Sequence, residues 1–392
     1  MTPRANRNCA GVPPSAAAPG ANGTRPLKGL GRCSLSGENC AGVASIRKIM
    51  VIASGSCGHV FPAISFCNEL KETHQGSVRI IFVTTPDFDM VPSEFNPVFL
   101  KVNKSARGIF RLVIAAFKLI FGSRPDIVFG FGGYISAPFL ILAKITGKKT
   151  LFHEQNVVPG RANRFLAAWV DRIAISFPGT EKYLERYRKK VCLVRYPLRK
   201  NIRVVPKDET LRFFGFDAGF FTVLAVGGSQ GANRINKVFI EAIKINNNLS
   251  RLQVIHLAGR ANAPAVQEAY SRLNVKSKVF DFLDGMEYAY SAADLVVSRS
   301  GAGCVIEIMR FGLPSILVPY PFAGAHQVEN AKALADKGGA IMVEDRMLTP
   351  ELISGLLDIF IDDQIRRKAM SSIVSSLYLR AQNSTLCELV TL

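Results

Sequence analysis

The chain has 392 residues, 48% hydrophobic and 20% charged, enough to bury a sizeable core in each of two domains. Its 49 Lys and Arg against 30 Asp and Glu leave a net charge of +19, which points to an anionic partner: nucleic acid, anionic lipid or a phosphorylated substrate. No uninterrupted apolar run reaches the roughly 18 residues of a membrane span, and the eight cysteines form no CxxC pair and no Cys/His cluster, which argues for reduced thiols in a cytosolic protein and against a structural zinc.

Residues 1–45 are rich in Ala, Gly, Pro, Ser and Asn, with one acid, Glu38, so they predict a disordered leader without its own core. They lack the continuous apolar stretch of a secretory signal. Their composition fits a transit peptide loosely and a mis-assigned start better, because a first strand begins naturally near Ile46. From there strand and helix alternate. Strands are predicted at 48–53, 79–84, 126–130, 149–153, 172–176 and 191–195, and helices at 59–73, 101–122, 135–146 and 160–170. Residues 200–220 read as a polar linker. The pattern then restarts, with strands at 221–226, 252–257, 278–282, 294–298, 315–319 and 340–343. Helices are predicted at 234–246, 263–273, 302–311 and 326–337, and residues 350–392 are mostly helical. Such repetition predicts two doubly wound parallel sheets, with a cleft at the carboxyl ends of both.

The turns that follow the strands carry the chemistry. The stretch from Val297 to Glu307 runs from a strand through small residues into a helix with no bulky side chain in its first turn. Its free N–H groups and positive dipole end suit a diphosphate, and Glu307 lies where a carboxylate could accept ribose hydroxyls. Ser54-Gly55-Ser56-Cys57-Gly58-His59 is a second such turn. It is not GxGxxG, so a dinucleotide fits poorly, and His59 is the natural general base. Gly130-Phe131-Gly132-Gly133-Tyr134 and Gly227-Gly228-Ser229-Gln230-Gly231 are glycine-dense in the same way. His153-Glu154-Gln155-Asn156 puts four polar residues directly after a buried strand, where Asn156 could cap turn backbone. Arg199 offers a rigid guanidinium to phosphate. Pro319-Tyr320-Pro321-Phe322 leads to His326, Gln327 and Asn330 at another helix start. Asp87-Phe88-Asp89 is a DxD triplet, but its Pro-bounded loop favours surface acids over a metal site.

In order and spacing these motifs resemble the MurG family of bacterial UDP-N-acetylglucosamine transferases, over residues 46 to about 380. The matches are the Gly-His loop followed by Val60-Phe61-Pro62-Ala63, then Gly132-Gly133-Tyr134, His153 to Asn156, Gly227 to Gly231, and Arg299-Ser300-Gly301-Ala302 with Glu307. The resemblance implies a GT-B fold, two Rossmann-like doubly wound domains facing an interdomain cleft, and an inverting transfer that uses no metal and no cofactor. The implied partners are UDP-GlcNAc and lipid I, and the implied location is the cytoplasmic face of the plasma (inner) membrane, held peripherally. The donor would meet Ser56, Cys57, Gly58, Asn156, Arg199, Ser229, Leu283, Ala302, Gly303, Cys304, Val305, Ile306, Glu307 and Gln327. His59, as base, and Tyr134 would face the acceptor. The domains would be residues 46–199 on the acceptor and membrane side and 200–372 on the donor side, with a C-terminal helix at 373–392 returning to the first. The chain departs from the family pattern at Cys57, at Arg195-Tyr196 and at Ala325.

Rival readings keep the donor half and change the rest: a UDP-sugar transferase acting on diacylglycerol, a GT-B-type UDP-GlcNAc 2-epimerase, or a nucleotide-sugar-binding protein without catalysis. Nucleic acid is disfavoured because the basic residues are not interleaved with aromatics in one tract. Residues 101–124 combine Lys101, Lys104, Arg107, Arg111, Lys118 and Arg124 with nine large apolar residues between Ile109 and Phe121 and no acid, which predicts a helix lying in an anionic membrane interface.

Overall fold

A computed structural model describes residues 48–74, 77–88, 90–103, 105–227, 233–273, 275–323, 325–380 and 384–391. The leader at 1–45, Asp89, Lys104 and Ser229 therefore lie outside the described residues. The first lobe runs β1 (Lys48–Ile52), α1 (Cys57–Thr73), β2 (Arg79–Thr84), β3 (Pro97–Phe99), α2 (Ala106–Ser123), β4 (Ile127–Gly130), α3 (Ser136–Ile145), β5 (Lys149–Glu154), α4 (Arg161–Leu166), β6 (Arg172–Ile175) and β7 (Val191–Leu193). The second runs α5 (Lys207–Phe214), β8 (Phe221–Val226), α6 (Asn233–Lys244), β9 (Leu252–Leu257), α7 (Ala263–Ser271), β10 (Lys276–Phe280), α8 (Met286–Ala292), β11 (Leu295–Ser298), α9 (Ala302–Phe311), β12 (Ser315–Leu317), α10 (Ala325–Ala335), β13 (Ala340–Met342), α11 (Pro350–Asp362) and α12 (Gln364–Arg380). A last helix, α13 (Leu386–Thr391), follows.

Both sheets are parallel and share one topology. The first is ordered β3-β2-β1-β4-β5-β6-β7 and the second β10-β9-β8-β11-β12-β13. Each is a Rossmann order whose connections reverse direction beside the first strand, β1 or β8. Parallel strands covered by helices on both faces need near-continuous apolar side chains, and β1 and β8 supply them apart from Lys48 and Thr222. Ile49 and Val51 pack with Phe66 and Leu70 of α1, while Met50 and Ile52 face Leu112, Ala116 and Leu140 of α2 and α3. In β8, Val223 and Ala225 meet α6, and Leu224 and Val226 join a second cluster with α8 and α9. The chain then recrosses: Val194 bridges Ser384, and Leu386, Cys387, Leu389 and Val390 of α13 are buried in the first lobe beside α1.

Several expectations change. Residues 200–220 are not wholly irregular, since α5 lies within them and buries Leu211 and Phe214. Its signals are ordinary ones: Asp208 and Glu209 in the first turn, Arg212 in the last, and Gly215 closing the helix at φ +67°. The helix expected over 160–170 is shorter. The strand β3 is a three-residue edge strand beginning with Pro97, too short for any periodicity. The helix α8 also escaped the pattern, because four of its seven residues are buried and no polar face sets a period.

Candidate active site

The described turns gather where the carboxyl ends of the two sheets meet. Ser56 starts α1 in extended conformation with no side-chain cap, and Gly301 does the same for α9. No cap side chain therefore covers the first N–H groups of either helix, the condition for binding an anion. Ser56 and Gly58 are exposed and Cys57 is half-buried at the first of these ends.

His59 lies in the first turn of α1 and is half-buried. Its Nδ1 is 3.1 Å from Gln155 Oε1, and burial lowers its pKa against the opposing pull of the Glu154 carboxylate. The second glycine turn fits around this ring. A Cβ on Gly132 would stand 2.6 Å from His59 Nδ1, and Gly132 has φ +103°, so the position demands glycine twice over. Tyr134 is half-buried beside it, its hydroxyl 3.4 Å from the Val102 carbonyl ahead of α2.

The polar tetrad after β4's neighbour divides its labour. His153 and Glu154 are still strand residues. Glu154 is 1% exposed and accepts from Asn156 N, Asn156 Nδ2, Gly160 N and Asn163 Nδ2 at 2.7–3.2 Å. That carboxylate, and not Asn156, satisfies the turn backbone. Asn156 instead reaches the second lobe: its Oδ1 accepts from Asn330 Nδ2 at 3.0 Å. Asn330 is fully buried, and its amide also binds Val157 N at 2.9 Å and Ser300 O at 3.2 Å, tying the β5 turn to the β11 turn. His326 adds a 2.9 Å contact to Val158 O.

In α9, Val305 and Ile306 point into the core, so only their backbone faces the turn. Cys304 stays a thiol, with its pKa pushed up to about 11 by burial, and donates toward Ser298 Oγ at 3.4 Å. Glu307 accepts a 2.9 Å hydrogen bond from Tyr290 of α8, and Arg199 stands 3.9 Å away. Burial raises the Glu307 pKa, with Arg199 and Tyr290 opposing. The Arg199 guanidinium also lies 5.4 Å over the Phe61 ring of α1, so it spans the two lobes. Leu283 is half-buried against the α8–α9 cluster. Gln327 Oε1 accepts from Tyr320 N at 2.9 Å, fixing the loop before α10.

Three features were not assigned roles from sequence. Arg299 binds Asp345 at 2.5 Å and the carbonyls of Val318 and Pro319 at 3.2 and 3.3 Å, locking the β11 turn to the end of β12. Tyr290 braces Glu307. Tyr196, at one of the departures from the family pattern, is buried and reaches Gly303, where a Cβ would stand 3.2 Å from its hydroxyl. The larger side chain at 196 is thus housed by a glycine at 303. Asp87, of the DxD triplet, is exposed, and among the described residues no cluster of three His, Cys, Asp or Glu side chains could hold a metal ion.

The Glycosyltransferase family 28 N-terminal domain matches residues 49–175, and its C-terminal domain matches residues 222–383. The chain is 35% identical over 352 residues to a UDP-N-acetylglucosamine–N-acetylmuramyl-(pentapeptide) pyrophosphoryl-undecaprenol N-acetylglucosamine transferase of Halothermothrix orenii, covering 83% of this chain and 93% of that protein. The transferase of the same name from Protochlamydia amoebophila is 35% identical over 368 residues, covering 88% and 95%. The crystal structure of Acinetobacter baumannii MurG superposes with a TM-score of 0.68 at 25% identity, covering 88% of this chain and 98% of that one.

Proposed function

The chain belongs to the MurG family of glycosyltransferases, and from that premise we propose how its cleft performs the transfer. The enzyme is a UDP-GlcNAc-dependent hexosyltransferase that delivers GlcNAc to lipid I in peptidoglycan synthesis. The lipid-linked muramyl acceptor named for its relatives favours this reading over diacylglycerol or a 2-epimerase.

The observation that carries the mechanism is the pair of uncapped helix starts, α1 after β1 of the first sheet and α9 after β11 of the second, each strand lying at the switch point of its own sheet. UDP-GlcNAc lies across them, with its diphosphate near Ser56, Cys57, Gly58, Asn156, Arg199 and Ser229. The uridine meets Leu283 and the α9 backbone from Ala302 to Ile306, with Glu307 on the ribose and Gln327 on the sugar. The acceptor 4-hydroxyl attacks the anomeric carbon while His59 takes its proton, and Tyr134 lines the acceptor side. Its lowered pKa keeps His59 neutral, the form a base needs, to below its usual range. The C–O bond to UDP breaks in the same displacement, inverting the centre. The helix dipoles and Arg199 hold the charge on the leaving diphosphate, which requires no metal. In this scheme residues 46–199 form the acceptor side and 200–372 the donor side.

We also propose that α2 holds the enzyme on the inner face of an anionic membrane. No described helix is long and apolar enough to cross one. Gly108, Leu112, Ala116 and Ile120 of α2 are buried in the core with Leu119 packed beside them, while Phe110, Phe117 and Phe121 are 67%, 52% and 48% exposed among Arg107, Arg111 and Lys118. A packing helix needs that narrow stripe and not the apolar surface beside it.

The decisive assay incubates the purified protein with UDP-GlcNAc and lipid I and separates the products. Release of UDP with a disaccharide-bearing lipid supports the reading. UDP-GlcNAc turned into its 2-epimer, or donor bound without turnover, overturns it.

A further inference from the structure

We propose that Gln155, backed by His153 and Ser176, is a positioning relay that fixes His59 in the tautomer protonated on Nδ1, leaving Nε2 as the basic nitrogen. The inference rests on the reading of His59 as the base.

The direction of each hydrogen bond follows from one carbonyl. Gln155 is 1% exposed, and its Nε2 lies 2.8 Å from the Phe131 backbone oxygen. A carbonyl only accepts, so the amide orientation is set and Oε1 is the atom that faces His59. That oxygen lies 3.1 Å from His59 Nδ1 and also only accepts, so Nδ1 carries the proton. The other hydrogen of Gln155 Nε2 points to His153 Nδ1 at 3.3 Å, which must then be the unprotonated nitrogen. His153 is fully buried, and its Nε2–H donates to Ser176 Oγ at 2.7 Å. Proton donation thus runs from His59 to Gln155 to His153 to Ser176, fed by one fixed acceptor on Phe131.

The relay uses a neutral amide where many catalytic histidines use a carboxylate. An amide selects the tautomer without stabilising the charged ring as a carboxylate would. The nearest carboxylate, on Glu154, is taken up by its own turn; His153 and, from α10, His326 are the other titratable groups acting on the ring, and the Phe131 backbone also interacts with it. Gly132 completes the arrangement by pressing its bare Cα against the ring.

The test uses the full-length protein labelled with 15N at its five histidines. Long-range proton–nitrogen spectra above pH 7 are expected to show His59 protonated on Nδ1 and His153 on Nε2. In Gln155→Leu, His59 is expected to revert to a mixture dominated by Nε2–H. The variant's kcat should fall roughly ten- to a hundredfold, within the range of general-base effects, with the KM for UDP-GlcNAc unchanged. In Gln155→Glu a carboxylate faces Nδ1, so the acidic limb of kcat should move to higher pH while turnover is largely kept. A wild-type His59 protonated on Nε2, or a Gln155→Leu enzyme that folds and keeps both its kcat and its Nδ1–H signal, overturns the relay. If Gln155→Leu does not fold, the wild-type spectrum and the Gln155→Glu profile decide alone. Unchanged turnover in His59→Ala would instead remove the base while leaving the tautomer assignment standing.

Discussion

The two lobes share a strand order and diverge in what they hang on it. Each buries one histidine on a strand, His153 on β5 and His256 on β9, and burial holds both near pKa 3. His256 is closed between Asn236 Oδ1 and the Tyr270 hydroxyl, each at 3.1 Å, inside the second lobe. His153 has the same burial but is joined through Gln155 to the ring in the cleft. The crossovers before the reversing strands contrast as well. The helix α8, before β11, is seven residues long and buries four of them, one being Tyr290 behind Glu307. The helix α2, before β4, is 18 residues long and leaves a broad apolar face in solvent. The same topology needs only the short version, so the excess on α2 serves something other than folding. Burial and a shifted pKa likewise do not mark a functional group; the hydrogen-bond partners do.

The largest effect should come from the pair of buried histidines. Both have folded pKa values below the unfolded one, so the unfolded chain takes up their protons first as pH falls. Their stabilising contribution is complete above about pH 6.5 and is lost progressively toward about pH 3. Between pH 6.5 and 5, above most carboxylate titration, each should cost about 2 kcal/mol of stability. Urea unfolding across this window checks it. His256→Gln should flatten the slope by about one proton's worth, and an unaltered slope would break the equivalence of the two histidines.

Next is the asymmetry of the turns. His59→Ala should lower kcat by roughly a hundredfold or more while UDP affinity is nearly kept. Glu307→Ala should weaken donor binding by about tenfold and spare kcat, the scale of one hydrogen bond to a charged group. Isothermal titration with UDP alongside steady-state kinetics separates the two. The contrast between the lobes fails if both variants act on the same parameter.

The crossovers give the smaller effects on function. Replacing Arg107, Arg111 and Lys118 by Gln should cut binding to anionic vesicles by up to about 1 kcal/mol per charge, and rising salt should reproduce the loss in the wild type. Activity on a short-chain soluble acceptor should not change. Phe110→Ser should alter folding stability by less than about 0.5 kcal/mol, as a surface change, whereas Leu112→Ala two residues away should cost about 2–5 kcal/mol. Equal destabilisation by both in thermal melts would show that α2 buries more than one stripe.

Much of this was legible in the chain. Apolar runs bounded by glycine turns gave the strands, because parallel strands buried on both faces read as continuous Val, Ile and Phe. The helix start at Ala302 was visible from small residues alone, whereas α1 begins at Cys57, two residues before the start at 59 that the pattern predicts. What stayed hidden depends on partners distant in sequence. Asn330 meets Asn156 across 174 positions, and the orientation of Gln155 is set by the Phe131 carbonyl. The four donors that occupy the Glu154 carboxylate come from Asn156, Gly160 and Asn163, a pattern that no residue spacing announces. The helix α5 is hidden for a simpler reason, since its eight residues lie between polar flanks and only its end signals, Asp208, Glu209 and Gly215, mark it.

The return of α13 has a consequence for biosynthesis. A ribosome releases the first lobe long before Leu386, Cys387, Leu389 and Val390 exist, yet those side chains fill the space beside Val60, Phe66 and Leu70. Until the whole second lobe has been translated, α1 has an uncovered apolar flank. The first lobe therefore completes its core only when the C-terminal helix is present, even though the sequence lays the two lobes out one after the other.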